Sequence, residues 1–367
     1  MELNTLVQFS NRYGADPNLV LAGGGNTSAK GDGALYVKAS GVSLAEIKAE
    51  GFVKIDLEKL KRVFGAAYPE EDAAREAAVL RDMMNARFPS ETAKRPSVET
   101  PLHALFPQTY VLHLHPALVN GLTCSRGAEE DARKFIGLDF IWIDSCKPGY
   151  MLSQTCAAEM AAYRQRTGKE ANLILLQNHG IFIAADSAEE LDALLWEVMF
   201  SLEKRLKHRP EFPPDSEPSQ QIEAVGQTLA ALYPKPMTFR YCGGGDWDRF
   251  SLNEKEAQPL LRPFSPDHIV YCKAYPLYIG EQAWIEPTFS GYVARHGYEP
   301  RVLIVGGFGF FCFGETEKQA ETCRALLTDA LKIAVYAESF GGYLHLDENL
   351  TEFIINWEVE SYRSAQN

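Results

Sequence analysis

The chain has 367 residues, of which 46% are hydrophobic and 23% are charged, and its formal net charge is −13 at pH 7. These values predict a folded globular protein of about two domains and exclude a disordered or fibrous chain. The negative charge argues against a general nucleic-acid or anionic-membrane surface. Because no signal-peptide pattern and no apolar run of eighteen residues occur, we expect a cytoplasmic protein.

The first distinctive segment is LAGGGNTSAKGDGALYVKASG, which contains three consecutive glycines and ends at Gly41. We predict a turn at the glycines and a strand over ALYVKASG. Backbone N–H groups in such a turn, with Asn26 and the charge of Lys30, are suited to a phosphate or carboxylate. A plain hairpin turn also explains the glycines, although it explains Asn26 less well. The segment matches neither the dinucleotide nor the ATP fingerprint, so neither site is predicted.

Two helices are predicted next. The segment AAYPEEDAAREAAVLRDMMNARF has apolar residues at helical spacing and acidic residues near its start. In SVETPLHALF, Pro101 falls in the first turn and Ser97 is a natural N-cap, so Glu99 and His103 would share one face. The simplest interpretations are that Glu99 is an acid in the capping region and that His103 packs in the core or supports a neighbouring ligand without binding metal itself.

Three histidines form a candidate metal site. In TYVLHLHP, His113 and His115 are two positions apart, and a strand therefore presents both on one face. His179 ends the apolar strand of NLILLQNHGIFIAA, where Gly180 permits a turn. Three imidazoles and one open or carboxylate-filled position are typical of catalytic zinc, although other divalent transition metals accept the same donors. An exposed strand face with two histidines and no ligand role is the alternative.

A domain boundary follows the next helix. The segment SAEELDALLWEVMFSLEKRLKHR is predicted to be a helix, with Ser187 and Glu190 in a capping-box arrangement. It leads into PEFPPDSEPSQ, whose prolines break regular structure. We therefore predict a first domain over 1–208, a linker over 209–220 and a second α/β domain over 221–367.

The second domain is a candidate degenerate repeat of the first. The forty residues from Arg166 align without gaps to those from Arg295, and both segments predict strand, glycine-containing turn, strand and amphipathic helix. In this alignment His179 corresponds to Phe308. TYVLHLHPALVNG resembles DHIVYCKAYPLYIG in its apolar alternation, which would replace the other two histidines by Tyr271 and Lys273. Convergent patterning of unrelated segments is the alternative.

Taken together, GGGNTSAK, VKASG, SVETPLH, VLHLHP and LLQNHGIFIA resemble the class II aldolase/adducin family, in family order and across roughly residues 5–205. PSVETPLHALFP and KPGY are most similar to the aldolase-like part of bifunctional aldolase/short-chain dehydrogenase proteins. The resemblance implies a three-layer α/β/α fold with a mainly antiparallel central sheet. It also implies a zinc ion, or another divalent transition metal, held by His113, His115 and His179.

The resemblance further implies the roles of several site residues. The family glutamate that ligates the resting metal and acts as acid/base falls on Glu99. Two family hydroxyls used for phosphate are replaced by Gly23 and Val98, so a phosphorylated substrate is an open question, and Lys30 is a candidate to compensate. The catalytic tyrosine that a neighbouring subunit supplies in the family has no position here. The implied anion-binding residues are Gly25, Asn26, Ser40, Gly41 and Ser97.

The leading functional hypothesis is a class II, zinc-dependent aldehyde-lyase that cleaves a small sugar-like or hydroxyketo substrate, phosphorylated or not, through a metal-stabilised enediolate. Glu99 would move the proton. Epimerisation, dehydration or decarboxylation on the same site is one alternative, and a non-catalytic adducin-like scaffold is another. The expected partner is a small-molecule sugar or sugar-phosphate substrate, and we expect no binding to nucleic acid or membranes. A homo-oligomer is compatible with the resemblance.

Overall fold

A computed structural model of the protein describes residues 3–91, 93–213 and 218–357, which fall into two units. The first unit comprises the described parts of Met1–Thr123, Ala128–Arg205 and Asn356–Gln366. The second comprises Cys124–Gly127 and the described parts of Leu206–Ile355. None of the helices in these described ranges combines the length and apolar character that crossing a membrane requires.

The first unit contains eight α-helices and seven strands among its described residues. In chain order they are α1 (Asn4–Gly14), β1 (Asn26–Gly31), β2 (Ala34–Lys38), β3 (Phe52–Asp56), α2 (Leu57–Lys61), α3 (Asp72–Asn85), α4 (Thr100–Leu105), β4 (Tyr110–Leu114), α5 (Ala117–Thr123), α6 (Ala128–Phe135), β5 (Ile141–Ile143), α7 (Tyr150–Thr167), β6 (Leu173–Leu176), β7 (Gly180–Ala185) and α8 (Ala188–Glu203).

The seven strands form one sheet in the order β3-β2-β1-β4-β7-β6-β5. All neighbouring strands are antiparallel except β5 and β6, which are parallel. Helices α4 and α7 pack against one face of the sheet, and α1, α5 and α8 contact the other. The predicted α/β fold with a mainly antiparallel central sheet is therefore confirmed.

Alternating burial explains how the strands hold both helical layers. Along β7, Phe182 and Ala184 join the core under α7, while Ile183 between them points to the opposite face of the sheet, where α8 contacts this strand. The four residues of β6 are all buried, which is why this strand reads as an uninterrupted apolar run. Removal of this apolar surface from water stabilises the sheet between its helices.

The second unit has a smaller sheet. Its elements are α9 (Gln220–Ala230), β8 (Thr238–Cys242), α10 (Asp246–Ser251), α11 (Glu254–Ala257), α12 (Pro266–Cys272), β9 (Leu277–Ile279), α13 (Ile285–His296), β10 (Val302–Val305), β11 (Gly309–Gly314), α14 (Glu317–Ala337) and α15 (Glu348–Ile355).

The two sheets share a four-strand pattern. The second sheet has the order β8-β11-β10-β9, and its strand pairs are antiparallel, antiparallel and parallel. In the first sheet, β4-β7-β6-β5 have the same chain order and the same three senses. A long helix follows the last strand of each set. This match supports our proposal that the second unit is a degenerate copy of the first.

The prediction that Tyr271 and Lys273 correspond to His113 and His115 is wrong. Tyr271 belongs to the helix α12, and Lys273 follows that helix with a positive φ of 65°. The strand that matches β4 is β8, in which Tyr241 pairs with Phe311 of β11. Apolar alternation over a few residues does not distinguish a buried strand from a buried helix, and DHIVYC is buried throughout.

Most predicted local structure of the first unit is present. The first predicted helix forms as α3, and Ser187 caps α8 by accepting a hydrogen bond from the Glu190 N–H at 3.2 Å. Ser97, however, is not an N-cap, because α4 begins at Thr100 and Glu99 occupies the capping position. The predicted linker lies partly outside the described residues, and α9 already begins at Gln220.

Candidate metal centre

The turn between β6 and β7 positions His179. Asn178 adopts a left-handed conformation with φ of 56°, which asparagine tolerates better than most residues. The Asn178 N–H donates to the Thr123 carbonyl at 3.2 Å, and the Asn120 amide donates to the His179 carbonyl at 3.3 Å. Two contacts from α5 therefore fix the main chain around this imidazole.

The central strand β4 positions His113, and His115 follows immediately after the strand. The Nε2 atoms of the two side chains lie 2.9 Å apart. The His113 ring stacks on Phe182 with centroids 4.0 Å apart, and its Nδ1 is 3.0 Å from the Ile181 carbonyl oxygen. That carbonyl accepts a hydrogen bond from Nδ1–H, so the Nε2 lone pair of His113 is directed into the histidine cluster.

Glu99 faces the same cluster from the start of α4. Its Oε1 lies 3.2 Å from His113 Nε2 and 3.3 Å from His179 Nε2. Burial by itself raises the pKa of Glu99, but His113 and His179 outweigh burial and hold this pKa well below its ordinary value. Burial also lowers the pKa of His113 to about 4. Burial therefore favours the neutral imidazole of His113, which is the form that binds a metal.

The spacing of these donors fits a small divalent metal. The donor atoms of His113, His115 and His179 all lie within 4.8 Å of one another. Metal–ligand bonds of 2.0–2.1 Å place the donors of a tetrahedral site about 3.3 Å apart. The donor separations of 2.9, 3.2 and 3.3 Å are close to that value. Three imidazoles and Glu99 therefore form a suitable set of four ligands.

A buried polar network lies behind Glu99. The Asn26 amide donates to Glu99 Oε2 at 2.6 Å and to Ser97 Oγ at 3.2 Å. The Asn26 carbonyl oxygen contacts His103 Nε2, and His103 Nδ1 lies 2.7 Å from Ser28 Oγ. Since both Asn26 amide hydrogens are already engaged, substrate binding by this amide would compete with its contact to Glu99.

The predicted anion-binding residues, apart from Lys30, lie at the start of β1 and on loops that hydrogen bonds connect to neighbouring segments. The Ser40 N–H donates to the Arg95 carbonyl at 2.8 Å, and the Ser97 N–H donates to the Lys38 carbonyl at 3.3 Å. Gly25 has a positive φ of 60°, and a Cβ there would lie 2.8 Å from the His113 carbonyl oxygen. The glycine turn therefore packs directly against β4 at His113.

Lys30 does not belong to this group. It lies four residues beyond Asn26 on β1, roughly 13 Å away at the usual rise of a strand. Its ammonium donates to the Gln108 carbonyl at 3.1 Å, near Asp186. The expected grouping of Lys30 with the glycine turn is wrong because that turn precedes β1, whereas Lys30 lies near the far end of this strand.

The sequence did not predict two residues that support the candidate site, Lys38 and Asn120. The buried Lys38 ammonium donates to the Gly23 carbonyl at 3.2 Å and to the Val42 carbonyl at 2.7 Å, so it ties the glycine turn to the loop after β2. Asn120 supports His179 from α5. A lysine within an otherwise apolar strand was the available signal for Lys38, whereas no sequence pattern marked Asn120.

Comparison with known proteins agrees with the geometry of the first unit. Residues 4–206 match the Class II Aldolase and Adducin N-terminal domain. The chain belongs to this family. A curated relative, the uncharacterized oxidoreductase YuxG of Bacillus subtilis strain 168, is 25% identical over 411 residues. That alignment covers 98% of this chain and 57% of YuxG, so the chain spans little more than half the length of this relative.

Two solved structures are similar to this member of the class II aldolase/adducin family. The N-terminal class II aldolase domain of a conserved protein from Thermoplasma acidophilum is 26% identical, covers 56% of this chain and 93% of its own, and has a TM-score of 0.47. L-fuculose-1-phosphate aldolase from Thermus thermophilus is 17% identical, covers 54% and 89%, and has a TM-score of 0.35.

The variant Gly180→Ala is expected to destabilise the protein. A Cβ at this position would lie 2.4 Å from the Leu114 carbonyl oxygen and 2.9 Å from His115 Cδ2, so β4 and the histidine cluster would have to shift. In urea denaturation we expect the free energy of unfolding to fall by roughly 1–3 kcal/mol. Gly65→Ala is the control, because a Cβ there meets nothing within 4 Å. Equal losses in both variants would contradict the close approach.

The pKa of Lys30 predicts a pH dependence of stability. Burial lowers this pKa from 10.5 to about 7, so between these values the unfolded chain binds a proton that the folded chain has lost. The contribution of Lys30 to the free energy of unfolding should therefore rise as pH increases from about 7 to 10. Replacing Lys30 by Met should remove this rise, whereas Lys169→Met at an exposed side chain should keep it. A wild-type-like slope in Lys30→Met would contradict the lowered pKa.

Proposed function

We propose that the protein is a divalent-metal-dependent carbon–carbon lyase that acts on a small sugar-like or hydroxyketo substrate. The observation that carries the proposal is the convergence of three imidazoles, whose donor atoms lie within 4.8 Å of one another, on a buried carboxylate. Glu99 Oε1 lies 3.2 Å from His113 Nε2 and 3.3 Å from His179 Nε2. Membership of the class II aldolase/adducin family supports a lyase. The same donors suit zinc, and the identity of the metal is part of the proposal.

The ligand roles follow from the donor atoms. His113, His115 and His179 would hold the metal, and Glu99 Oε1 would complete the set in the resting protein. When bound, a divalent metal supplies Lewis-acid stabilisation of the negative charge that develops beside the substrate carbonyl as the carbon–carbon bond breaks. The protein contributes a buried, pre-organised donor set, which limits reorganisation during the reaction.

Glu99 is our candidate acid/base. Retro-aldol cleavage removes a proton from the hydroxyl on the β carbon, breaks the bond between the α and β carbons, and later adds a proton to the α carbon. We assign both transfers to Glu99 Oε1, which would take the proton from the β-hydroxyl and return it to the α carbon, so the carboxylate ends the cycle ionised as it began. Oε1 faces the cluster while Asn26 holds Oε2. The Asn26 amide and the histidine cluster give this carboxylate polar partners on both sides, so we propose that it begins the cycle ionised and takes the hydroxyl proton.

The loops beside Glu99 are the proposed anion subsite. The Ser40 and Ser97 N–H groups already donate to carbonyl oxygens, so we propose that these two residues contribute their hydroxyls and Gly41 its main chain. The Lys38 ammonium lies between two of the contributing loops. Hydroxyl donors and a nearby cation favour a carboxylate or phosphate on the substrate. We do not include Lys30 in this subsite.

Metal content and lyase activity test the proposal together. Protein purified without chelators should contain about one divalent transition metal per chain, measured by mass spectrometry, and should cleave at least one member of a panel of free and phosphorylated ketoses. His113→Ala should lose both the metal and the activity, because a tetrahedral site loses one of its three imidazoles. His208→Ala, at a partly exposed histidine of the second unit, is the matched control. Retention of metal and turnover by His113→Ala would refute the assigned ligand set.

The variant Glu99→Gln separates the carboxylate from the histidine ligands. It keeps the size of the side chain but removes the base, so we expect metal to remain bound while turnover falls by about 100-fold or more. Steady-state kinetics on the substrate identified in the ketose panel would measure this loss. Turnover within a few-fold of wild type would exclude Glu99 as the acid/base.

The wild-type protein also distinguishes the alternative functions. A metal-loaded protein without lyase activity would favour epimerisation, dehydration or decarboxylation, and a protein without metal would favour a scaffold.

A further inference from the structure

Glu99 Oε2 accepts a hydrogen bond from the Asn26 amide, and neighbouring groups fix the orientation of this amide. Asn26 lies at the start of β1, directly opposite His113 in the sheet register. Its side chain is 3% exposed, and one of its polar atoms is 2.6 Å from Glu99 Oε2. An ionised carboxylate accepts hydrogen bonds only, so this atom must be the amide nitrogen.

The amide orientation determines the protonation of the next group. With Nδ2 directed at Glu99 and Ser97, Asn26 presents its carbonyl oxygen to His103 Nε2. A carbonyl oxygen only accepts, so His103 must carry its proton on Nε2. In a neutral imidazole, Nδ1 then accepts a hydrogen bond from the Ser28 hydroxyl at 2.7 Å.

The position of His103 is fixed by its surroundings. The side chain is fully buried, and its ring meets Phe182 edge-on with centroids 5.5 Å apart. Phe182 in turn stacks on His113, so the same aromatic ring packs against a proposed metal ligand and against the histidine behind Glu99. Rotation of the His103 ring would break both of its hydrogen bonds inside the core, where water does not replace them.

We propose that His103 is a positioning residue for the acid/base. Its Nε2–H fixes the Asn26 amide in the single orientation that donates to Glu99 Oε2, which leaves Oε1 directed at the histidine cluster. Without this donor, the Asn26 amide is free to turn and present its own oxygen to the carboxylate, which repels Glu99 from its place. The hydrogen-bond chain Ser28–His103–Asn26–Glu99 therefore sets the direction of the carboxylate from a point that touches neither metal nor substrate.

The tautomer of His103 tests the proposal without reference to activity. In the full chain labelled with ¹⁵N-histidine, long-range ¹H–¹⁵N correlation spectra distinguish a protonated Nε2 from a protonated Nδ1. We expect His103, assigned by loss of its signal in His103→Gln, to be protonated on Nε2 and unprotonated on Nδ1 near pH 7. Protonation on Nδ1, or on both nitrogens, would overturn the proposal even if the protein proves to be an active lyase.

Two variants of His103 test the consequence for Glu99, which rests on the proposed function. The Gln amide nitrogen reaches the position of Nε2 and retains a donor for Asn26, whereas Asn reaches only the position of Nδ1. We expect kcat of His103→Asn to fall by about 10- to 100-fold with KM changed by less than about threefold, and His103→Gln to recover most of the loss. Absorption spectra of the Co²⁺-loaded proteins should change in His103→Asn and remain close to wild type in His103→Gln.

The outcomes separate the two proposals. Equal losses in both variants would reduce His103 to a packing residue, and wild-type behaviour of His103→Asn would remove it from the site; either result overturns the positioning role. Circular dichroism and thermal unfolding would identify a variant that fails to fold, and the tautomer of the wild-type chain then still decides. Absence of metal binding or lyase activity in the wild-type protein would count against the proposed function, while the tautomer measurement continues to test the hydrogen-bond chain.

Discussion

The register of β4 between β1 and β7 is the constraint on which the candidate site depends. In this register His113 pairs with Asn26 on one side and with Phe182 on the other. These three positions supply the proposed metal ligand, the amide that holds Glu99, and the ring that packs against His113. A slip of one residue would send every side chain of β4 to the opposite face, so the apolar packing on both faces also protects the site geometry.

Burial then gives the site its electrostatic character. His113 is fully buried and Glu99 is 7% exposed, and both depend on polar partners because unpaired groups there would be costly. Glu99 is paired with imidazoles on one side and with the Asn26 amide on the other. The same requirement governs the loops, where the buried Lys38 ammonium satisfies carbonyl oxygens of two turns. Packing and polar satisfaction therefore act on the same residues.

Among its described residues, the second unit has a strand pattern like that of the first unit but no cluster of three histidines. Its four strands have the order and senses of β4 to β7, but the position matching His113 is Tyr241, and the turn that matches His179 contains Phe308. The Tyr241 hydroxyl donates to the Phe308 carbonyl at 2.8 Å. The counterparts of two proposed metal ligands are therefore hydrogen-bonded to each other. The second unit also has no counterpart of the first three strands among its described residues. The proposed repeat thus retains the sheet pattern without the donor set.

Local sequence patterns determined much of the first unit. Alternation and apolar runs located its strands, and the spacing of His113 and His115 predicted that their side chains would meet, because side-chain direction in a strand has a period of two residues. Membership of the class II aldolase/adducin family agrees with the motifs that carried the resemblance.

Other assignments needed the tertiary structure. The structure places Lys30 outside the proposed anion subsite, shows that Ser97 is not an N-cap, and places Tyr271 in a helix. These three assignments depend on where a helix or strand begins and on which segments lie beside it in space. The partners of His103, Asn120 and Lys38 were likewise decided only by the tertiary structure, since hydrogen bonds between segments distant in the chain leave no periodic signal in the sequence.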